Sequence, residues 1–134
     1  MTFYSEEVKK INKSLYPHDD LTKQIVQSKL YIDKHFSENI NLDKVASKAL
    51  VSKFHFIRVF KKYYGRTPNQ YLQEVRIEKA KRFLQKGNSI DEVCNAIGFA
   101  SKTSFISLFK RMTGKTPLVF QIQTNKRDSD ILTS

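Results

Sequence analysis

The chain has 134 residues, a length that suits one domain, or two very small ones that share a core. Hydrophobic residues make up 40% of it, with only four Gly and three Pro, which excludes a mostly disordered chain. Lys and Arg outnumber Asp and Glu by 24 to 13, and the net charge of +11 predicts a polyanionic partner, either a nucleic acid or an anionic membrane surface.

The spacing of apolar residues predicts an all-α protein. Apolar residues recur at steps of three and four, and the alternation typical of strands is rare. A short amphipathic helix is predicted over residues 5–15, and Pro17 interrupts it. A longer helix is predicted over residues 21–36, which carries Ile25, Leu30, Tyr31 and Ile32.

A pair of helices is then predicted twice. The stripe of a helix with one buried face appears at Leu42, Val45, Ala46 and Ala49 and returns at Ile90, Val93, Cys94 and Ile97. A brief turn follows each stripe, and then a serine that suits a helix N-cap, Ser52 or Ser101. The segments "SKFHFIRVFKKYYGRTP" and "SKTSFISLFKRMTGKTP", which begin at these serines, are identical at nine of 17 positions. The chain therefore contains two helix-turn-helix units.

The exits of the repeated helices are also alike. Gly65 and Gly114 suit helix C-caps, and Pro68 and Pro117 suit the start of a following helix. Residues 68–85 are predicted to form a linking helix whose apolar residues change sides half-way along it. We expect its first half to pack on the first unit and its second half on the second, which would hold the two units in a fixed relation.

The second helix of each unit has one apolar face and one cationic or polar face. On a wheel of about 100° per residue, the predicted core positions are Phe56, Val59, Phe60 and Tyr63 in the first copy and Phe105, Leu108, Phe109 and Met112 in the second. Residues 52–121 hold 14 Lys and Arg against four Asp and Glu, a local net charge of +10. A helix that projects such a face from a short turn fits the major groove of DNA, whereas a lone basic helix is more often only solvated.

Twelve residues are the predicted nucleic-acid contacts, drawn from the outward and flanking positions of these helices and one N-cap: Lys53, Phe54, Ile57, Arg58, Lys61, Lys62, Ser101, Lys102, Thr103, Ser107, Lys110 and Arg111. Arg58 is the predicted base reader, because an arginine can bond guanine through two donors. The lysines and Arg111 suit phosphates, and the hydroxyl groups suit bases or phosphates. Phe54 and Ile57 suit thymine methyl groups, although Ile57 could equally belong to the core, and capping alone would explain Ser101.

These motifs resemble the DNA-binding region of the AraC/XylS family of bacterial transcription regulators, two helix-turn-helix units joined by a helix. The similarity covers residues 25–121 and is carried by "LDKVASKALVSKFHFIRVFKKYYGRTPNQYLQEVRIEKAKRFL" and "IDEVCNAIGFASKTSFISLFKRMTGKTP". It implies homeodomain-like helical units and a cytoplasmic regulator that binds asymmetric promoter sites in double-stranded DNA, often as an activator that contacts RNA polymerase. Family members usually carry a separate effector-sensing or dimerising domain, so the chain is either a stand-alone regulator or the DNA-binding part of a longer one.

The second unit departs from the family's pattern. This chain has Ser104, Ser107 and Gln121 where the family commonly has an aromatic residue, an arginine and a further arginine. Arg58 of the first unit occupies the position that matches Ser107. Because arginine discriminates between bases more sharply than serine, by roughly 1 to 3 kcal/mol, we expect the first unit to supply most sequence specificity and the second mainly phosphate contacts and shape reading.

The predicted organisation has five parts: an N-terminal extension over residues 1–20, a first unit over 21–67, the linking helix over 68–86, a second unit over 87–121 and a flexible tail over 122–134. The first 20 residues are too few to enclose a ligand, so no small-molecule pocket is expected. Arg76 is a candidate structural tie between the linking helix and one unit.

Other classes of protein have less support. No apolar run reaches the roughly 18 residues of a membrane span, and no signal peptide is recognisable, so we expect no membrane partner. The one cysteine, Cys94, lies on a buried stripe and the three histidines are scattered, so we expect no reactive thiol, no metal, no cofactor and no enzyme activity. Two alternatives stay open: a non-specific architectural or RNA-binding protein, and a module that contacts RNA polymerase without binding DNA.

Overall fold

The computed structural model describes residues 19–133, and their side chains over residues 21–126. This part of the chain is all-α, as predicted, and its helices are α1 (Asp19–His35), α2 (Leu42–Lys48), α3 (Lys53–Tyr64), α4 (Pro68–Gln85), α5 (Ile90–Ile97), α6 (Lys102–Thr113) and α7 (Pro117–Thr133). The helix predicted over residues 5–15 lies outside the described residues. None of the helices above is long and apolar enough to cross a membrane.

The chain divides into two compact units. The first contains α1 as far as Lys34, and then Asn41–Pro68 with α2 and α3. The second contains His35–Ile40 and the chain from Asn69 onward, so that the linking helix α4 belongs to it together with α5, α6 and α7. Each unit therefore has one helix followed by a helix-turn-helix pair, and the second unit has an additional helix at its end.

Aromatic rings occupy the core of the first unit. Phe56 and Phe60 on α3 are fully buried, with ring centroids 6.3 Å apart, and the Phe60 ring lies 4.8 Å from that of Tyr64. Also buried are Ile25 and Ile32 of α1, Ala46 of α2 and Ala49, the C-cap of α2. Full burial of a phenylalanine contributes about 2 to 3 kcal/mol to folding, so these two rings are a large part of the stability of so small a unit.

The same repeated phenylalanines form the core of the second unit. Among the described side chains, nine are buried together: Ile77, Ala80, Leu84, Val93, Cys94, Ile97, Phe105, Leu108 and Phe109. The Phe105 and Phe109 rings are 5.7 Å apart, and Phe109 meets Phe120 of α7 edge-on at 5.5 Å. The residues that the two copies share therefore build equivalent cores.

Two residues predicted to lie on the core faces are exposed instead. Tyr63 is 42% exposed and Met112 is 40% exposed, at equivalent positions in the last turns of α3 and α6. The Tyr63 hydroxyl lies 3.3 Å from the hydroxyl of Thr22. A helical wheel gives the direction of a side chain but not how far the core extends along the helix axis, which explains the wrong prediction.

The predicted caps at both ends of α3 and α6 are confirmed. The Ser52 hydroxyl accepts a hydrogen bond from the His55 N–H at 3.1 Å, and the Ser101 hydroxyl accepts one from the Ser104 N–H at 3.2 Å. Gly65 and Gly114 end the two helices in the left-handed conformation. An N-cap of this kind is worth about 1 kcal/mol, so each second helix has a sharply defined start.

The turns inside the two helix-turn-helix pairs differ. Leu50 in the first turn and Gly98 in the second both have positive φ angles, 58° and 86°. At Gly98 the chain also passes close to another backbone segment: a Cβ atom there would overlap the carbonyl oxygen of Ser37 and lie 2.7 Å from its carbonyl carbon. Only glycine fits this turn without a shift of the backbone.

Arg76 of α4 anchors the segment that passes over Gly98. Its Nε donates to the carbonyl of Phe36 at 2.7 Å, and its Nη2 donates to the carbonyl of Glu38 at 3.0 Å. The guanidinium group lies 5.5 Å from the centre of the Phe99 ring, and burial lowers the pKa of Arg76. The expected structural role of this arginine is confirmed, since it holds residues on both sides of Ser37.

The helix α7 runs through the C-terminal part of the described chain. Residues 122–133, assigned from the sequence to a flexible tail, continue the helix α7. Gln121 fastens this helix to the end of α4 and the loop after it, because its side-chain amide donates to the carbonyls of Leu84 at 3.0 Å and Asn88 at 2.8 Å. Polar composition signals little packing, but a helix already started by packed residues can propagate through a polar segment.

Candidate nucleic-acid interface

The α3 helix presents a cationic outward face. Lys53, Arg58, Lys61 and Lys62 are all exposed, and α3 contains no acidic residue. Phe54 is 74% exposed on the same side, a costly place for an aromatic ring in water. Because Phe56 and Phe60 fix the opposite side in the core, this face can only point away from the first unit.

Ile57 lies between the two faces of α3. It is half-buried, as is its neighbour His55, so it does not stand with the fully exposed predicted contacts. Both interpretations of Ile57, as a core residue and as a contact, are compatible with this position: part of the side chain packs on the unit, and part is available at the edge of the outward face.

The α6 helix presents a similar face with fewer charges. Ser101, Lys102, Thr103, Ser107, Lys110 and Arg111 are exposed, and α6 also lacks acidic residues. Lys102 forms an exposed ion pair with Asp91 of α5 at 3.3 Å, so one of the predicted phosphate contacts already has a partner. Such a pair contributes little to stability and can be exchanged for another anion.

The two outward faces differ where the sequences of the copies differ. The exposed Phe54 and Arg58 on α3 correspond to the exposed Thr103 and Ser107 on α6. The basic residues of the last turns are shared, Lys61 and Lys62 on α3 and Lys110 and Arg111 on α6, where cations also interact favourably with the negative end of the helix dipole. Shared charge with different central side chains would give similar attraction to a polyanion but different contacts with it.

An open cleft borders the face of α6, and the sequence analysis missed part of its lining. The cleft has a volume of about 430 Å³ and is lined by Gln73, Phe99, Thr103, Ser104, Ser107, Leu108 and Arg111. Gln73 comes from α4 and was not singled out, because it lies 29 residues before the start of α6 and belongs to no periodic charged face. Ser104 had been noted only as a departure from the family's pattern.

Cys94 lies in the core of the second unit. It is buried, and burial, followed by the nearby charge of Asp91, raises the pKa of its thiol, which disfavours the nucleophilic thiolate. Among the residues whose side chains are described, no three His, Cys, Asp or Glu residues come together as a metal site would require.

Two helix-turn-helix units in tandem, each with a buried aromatic pair behind an exposed basic or polar helix face, define the class of tandem helix-turn-helix proteins. A family model described as a helix-turn-helix domain matches residues 45–123, more than half of the chain. With this match, the chain belongs to the AraC/XylS family of regulators, in agreement with the resemblance seen in its sequence.

Three known proteins illustrate the similarity. The bifunctional transcriptional activator/DNA repair enzyme AdaA of Bacillus subtilis is 40% identical over 92 residues, which cover 68% of this chain and 44% of AdaA. The DNA-binding domain of AdpA, a global transcriptional factor solved in complex with a target DNA, aligns with a TM-score of 0.71 and 27% identity over 77% of this chain and 94% of that domain. A regulator from Chromobacterium violaceum described as having an AraC-type DNA-binding domain aligns with a TM-score of 0.67 and 27% identity, covering 77% of this chain and 93% of its own. The chain thus spans less than half the length of AdaA.

Proposed function

We propose that the chain binds double-stranded DNA sequence-specifically and regulates transcription in the bacterial cytoplasm. The observation that carries the proposal is the repeated second helix, in which a buried phenylalanine pair fixes the orientation of an exposed face without acidic residues. This face is basic in α3, and it is basic with hydroxyl groups in α6. A helix held in this way by a short turn has the dimensions of the DNA major groove.

Contact with phosphates supplies the affinity in this proposal. The exposed lysines of α3 and α6, with Arg111, would neutralise phosphates and release counterions, so binding should weaken steeply as salt rises. One duplex offers adjacent major-groove segments, one for each unit. The structural similarity to the AdpA domain, which was solved with its target DNA, supports this mode of binding.

Base reading would come mainly from the first unit. Arg58 is exposed near the middle of α3, where a guanidinium group can donate two hydrogen bonds to a guanine, and Phe54 offers an apolar surface to thymine methyl groups. The equivalent Ser107 and Thr103 of α6 are short hydroxyl side chains with weaker discrimination. We therefore propose that the second unit contributes phosphate contacts and shape reading.

Catalysis is not part of the proposal. AdaA is named as a DNA repair enzyme as well as an activator, but the one cysteine of this chain is buried in the second unit's core with a raised thiol pKa. A cysteine that accepts alkyl groups must be accessible and ionised. Activation through RNA polymerase, which the family resemblance implies, is the proposed consequence of DNA binding.

Selection of bound duplexes from a random pool tests the proposal. Wild-type protein should enrich one asymmetric motif. Arg58→Ala should then weaken binding to that motif about 5- to 150-fold and weaken binding to random DNA much less, because a lost base contact costs roughly 1 to 3 kcal/mol. Lys62→Ala, a neighbouring exposed cation, is the matched control and should weaken both equally while lowering the salt slope by about one.

The alternatives give different results. Equal affinity for selected and random duplexes would replace the proposal with a non-specific architectural role. No binding to either duplex at low salt would favour a module that contacts RNA polymerase alone. Equal losses for Arg58→Ala on both duplexes would leave DNA binding in place but reject Arg58 as a base reader.

A further inference from the structure

The cleft beside α6 has the chemistry of an anion site. Its polar lining consists of the Arg111 guanidinium, the Gln73 amide and three hydroxyl groups, and no acidic residue lines it. Within the part of the chain with described side chains, neither Gln73 nor Arg111 has a hydrogen bond or an ion pair. Phe99 and Leu108 give the cleft an apolar wall. We call these seven residues the flank cleft.

The fold does not require a polar residue at position 73. The first helices of the two units bury residues at the same spacing, Ile25, Ser28 and Ile32 in α1 and Ile77, Ala80 and Leu84 in α4. With the two helices aligned on these residues, Gln73 falls opposite Leu21, which is only 7% exposed. The first unit thus has a buried apolar side chain where the second has a half-buried amide directed into the flank cleft.

The position of the flank cleft on α6 distinguishes a backbone contact from a base contact. On a wheel of about 100° per residue with Phe105 at zero, Thr103 and Ser107 lie opposite the core, whereas Ser104 and Arg111 lie at about 240° to 260°, on the side of Leu108 and the cleft. A helix of about 10 to 12 Å diameter fills a groove about 12 Å wide, so its outermost side chains meet base edges and its flanks meet the strands that wall the groove.

We propose that the flank cleft binds one backbone phosphate of the DNA strand beside α6, with the Arg111 guanidinium and the Gln73 amide as its donors. The inference rests on the proposed DNA binding and adds to it a residue of the linking helix that contacts DNA. Ser104 can donate a further hydrogen bond from its hydroxyl, and Phe99 and Leu108 can pack against the adjoining deoxyribose. Gln73 would position the second unit on the duplex without reading its sequence.

Four variants test the proposal on the selected duplex, with fluorescence anisotropy as the measure of affinity. Gln73→Ala should weaken binding about 5- to 10-fold on selected and random duplexes alike, as expected for the net loss of one hydrogen bond at a half-buried site. Gln73→Glu keeps the shape of the side chain and should weaken it further by repelling the phosphate. Arg111→Ala should lower the salt slope by about one. Gln85→Ala, an exposed glutamine on the same helix outside the cleft, should change nothing.

Duplexes with a single methylphosphonate, which removes the charge of one phosphate, then identify the contact. At one position the losses caused by Gln73→Ala and Arg111→Ala should both disappear, since the partner is already gone, and the penalty of Gln73→Glu should shrink. The phosphate assignment is wrong if, at every position of the methylphosphonate, the affinity loss caused by each variant is simply added to the loss caused by the modification. A change in preference at a single base pair in Gln73→Ala would also overturn it, because such a change would indicate base reading.

The same measurements separate this inference from the proposed function. If wild-type protein binds selected and random duplexes equally, sequence-specific regulation is rejected. The coupling between the variants and one phosphate can still be measured on either duplex, and it decides whether the flank cleft binds a phosphate. If wild-type protein discriminates and no phosphate couples to the variants, the proposed function stands and the inference fails. Absence of binding to any duplex rejects both.

Discussion

Replacement of Gly98 by alanine is the sharpest test of how the turn between α5 and α6 is built. The residue has a φ of 86°, in the left-handed region, and a Cβ atom there would overlap the carbonyl oxygen of Ser37. The neighbouring segment cannot move away freely, because Arg76 holds the carbonyls of Phe36 and Glu38 on either side of Ser37. Gly98→Ala should therefore destabilise the second unit through both strain and collision.

The two effects can be sized separately. The left-handed conformation costs an alanine roughly 1 to 2 kcal/mol, and forcing a methyl group against packed backbone costs about 1 to 3 kcal/mol more. The reduced freedom of the unfolded chain returns about 0.4 to 1 kcal/mol. We expect the free energy of unfolding to fall by about 2 to 4 kcal/mol, a large part of the roughly 5 to 15 kcal/mol of a typical domain.

Gly114→Ala is the matched control for this prediction. Gly114 lies in the same unit with a φ of 83°, but a Cβ atom there meets nothing within 4 Å. Urea unfolding followed by circular dichroism should show a loss of about 1 kcal/mol for Gly114→Ala and at least about 1 kcal/mol more for Gly98→Ala. Equal losses in the two variants would refute the reasoning, because they would show that the contact with Ser37 has no cost.

Three further predictions concern other positions. Leu50→Gly should raise the free energy of unfolding by about 0.5 to 1 kcal/mol. Leu50 has a φ of 58° and is 93% exposed, so the substitution removes backbone strain without loss of packing. A lower urea midpoint would contradict this prediction. Arg76→Ala should lower the free energy of unfolding by about 1 to 3 kcal/mol through the loss of two hydrogen bonds. Arg76→Lys should recover only part of this loss, because a lysine cannot donate from two nitrogens at once. Full recovery by lysine would argue against the forked geometry. Cys94 should react with iodoacetamide at pH 8 at least about tenfold more slowly in the folded protein than in urea, because burial blocks access and a raised pKa leaves less thiolate; equal rates would show that the thiol is accessible.

Local signals predicted most helix boundaries. The linking helix predicted over residues 68–85 is α4 (Pro68–Gln85), and the helix predicted over 21–36 is α1 (Asp19–His35). Serine caps and prolines act within one turn of the chain, so their effect can be read without knowledge of the fold. The exposed faces of α3 and α6 followed from the same periodicity, and every candidate contact except the half-buried Ile57 is exposed.

Features that depend on tertiary packing were predicted less well from the sequence. Tyr63 and Met112 lie on the side of the helix that the wheel assigned to the core, yet both are substantially exposed. Gln73 could not be predicted as a contact from the sequence of α4 alone. A comparison of α1 with α4, the first helices of the two units, would have placed this amide opposite the apolar Leu21. Such a comparison needs the buried positions of α1 and α4, which only the structure identifies.

By itself, the sequence determined the duplication, the helices with their caps, and the basic outward faces, because each depends on residues within a few turns of one another. Tertiary structure alone decided which residues meet across longer separations: Ser37 over Gly98, Arg76 with the carbonyls of Phe36 and Glu38, and Gln73 in the same cleft as Arg111. These contacts follow from how α4, the α5–α6 pair and the segment His35–Ile40 come together within the second unit. Side-chain periodicity along a single helix carries no information about which residue of another element will lie opposite.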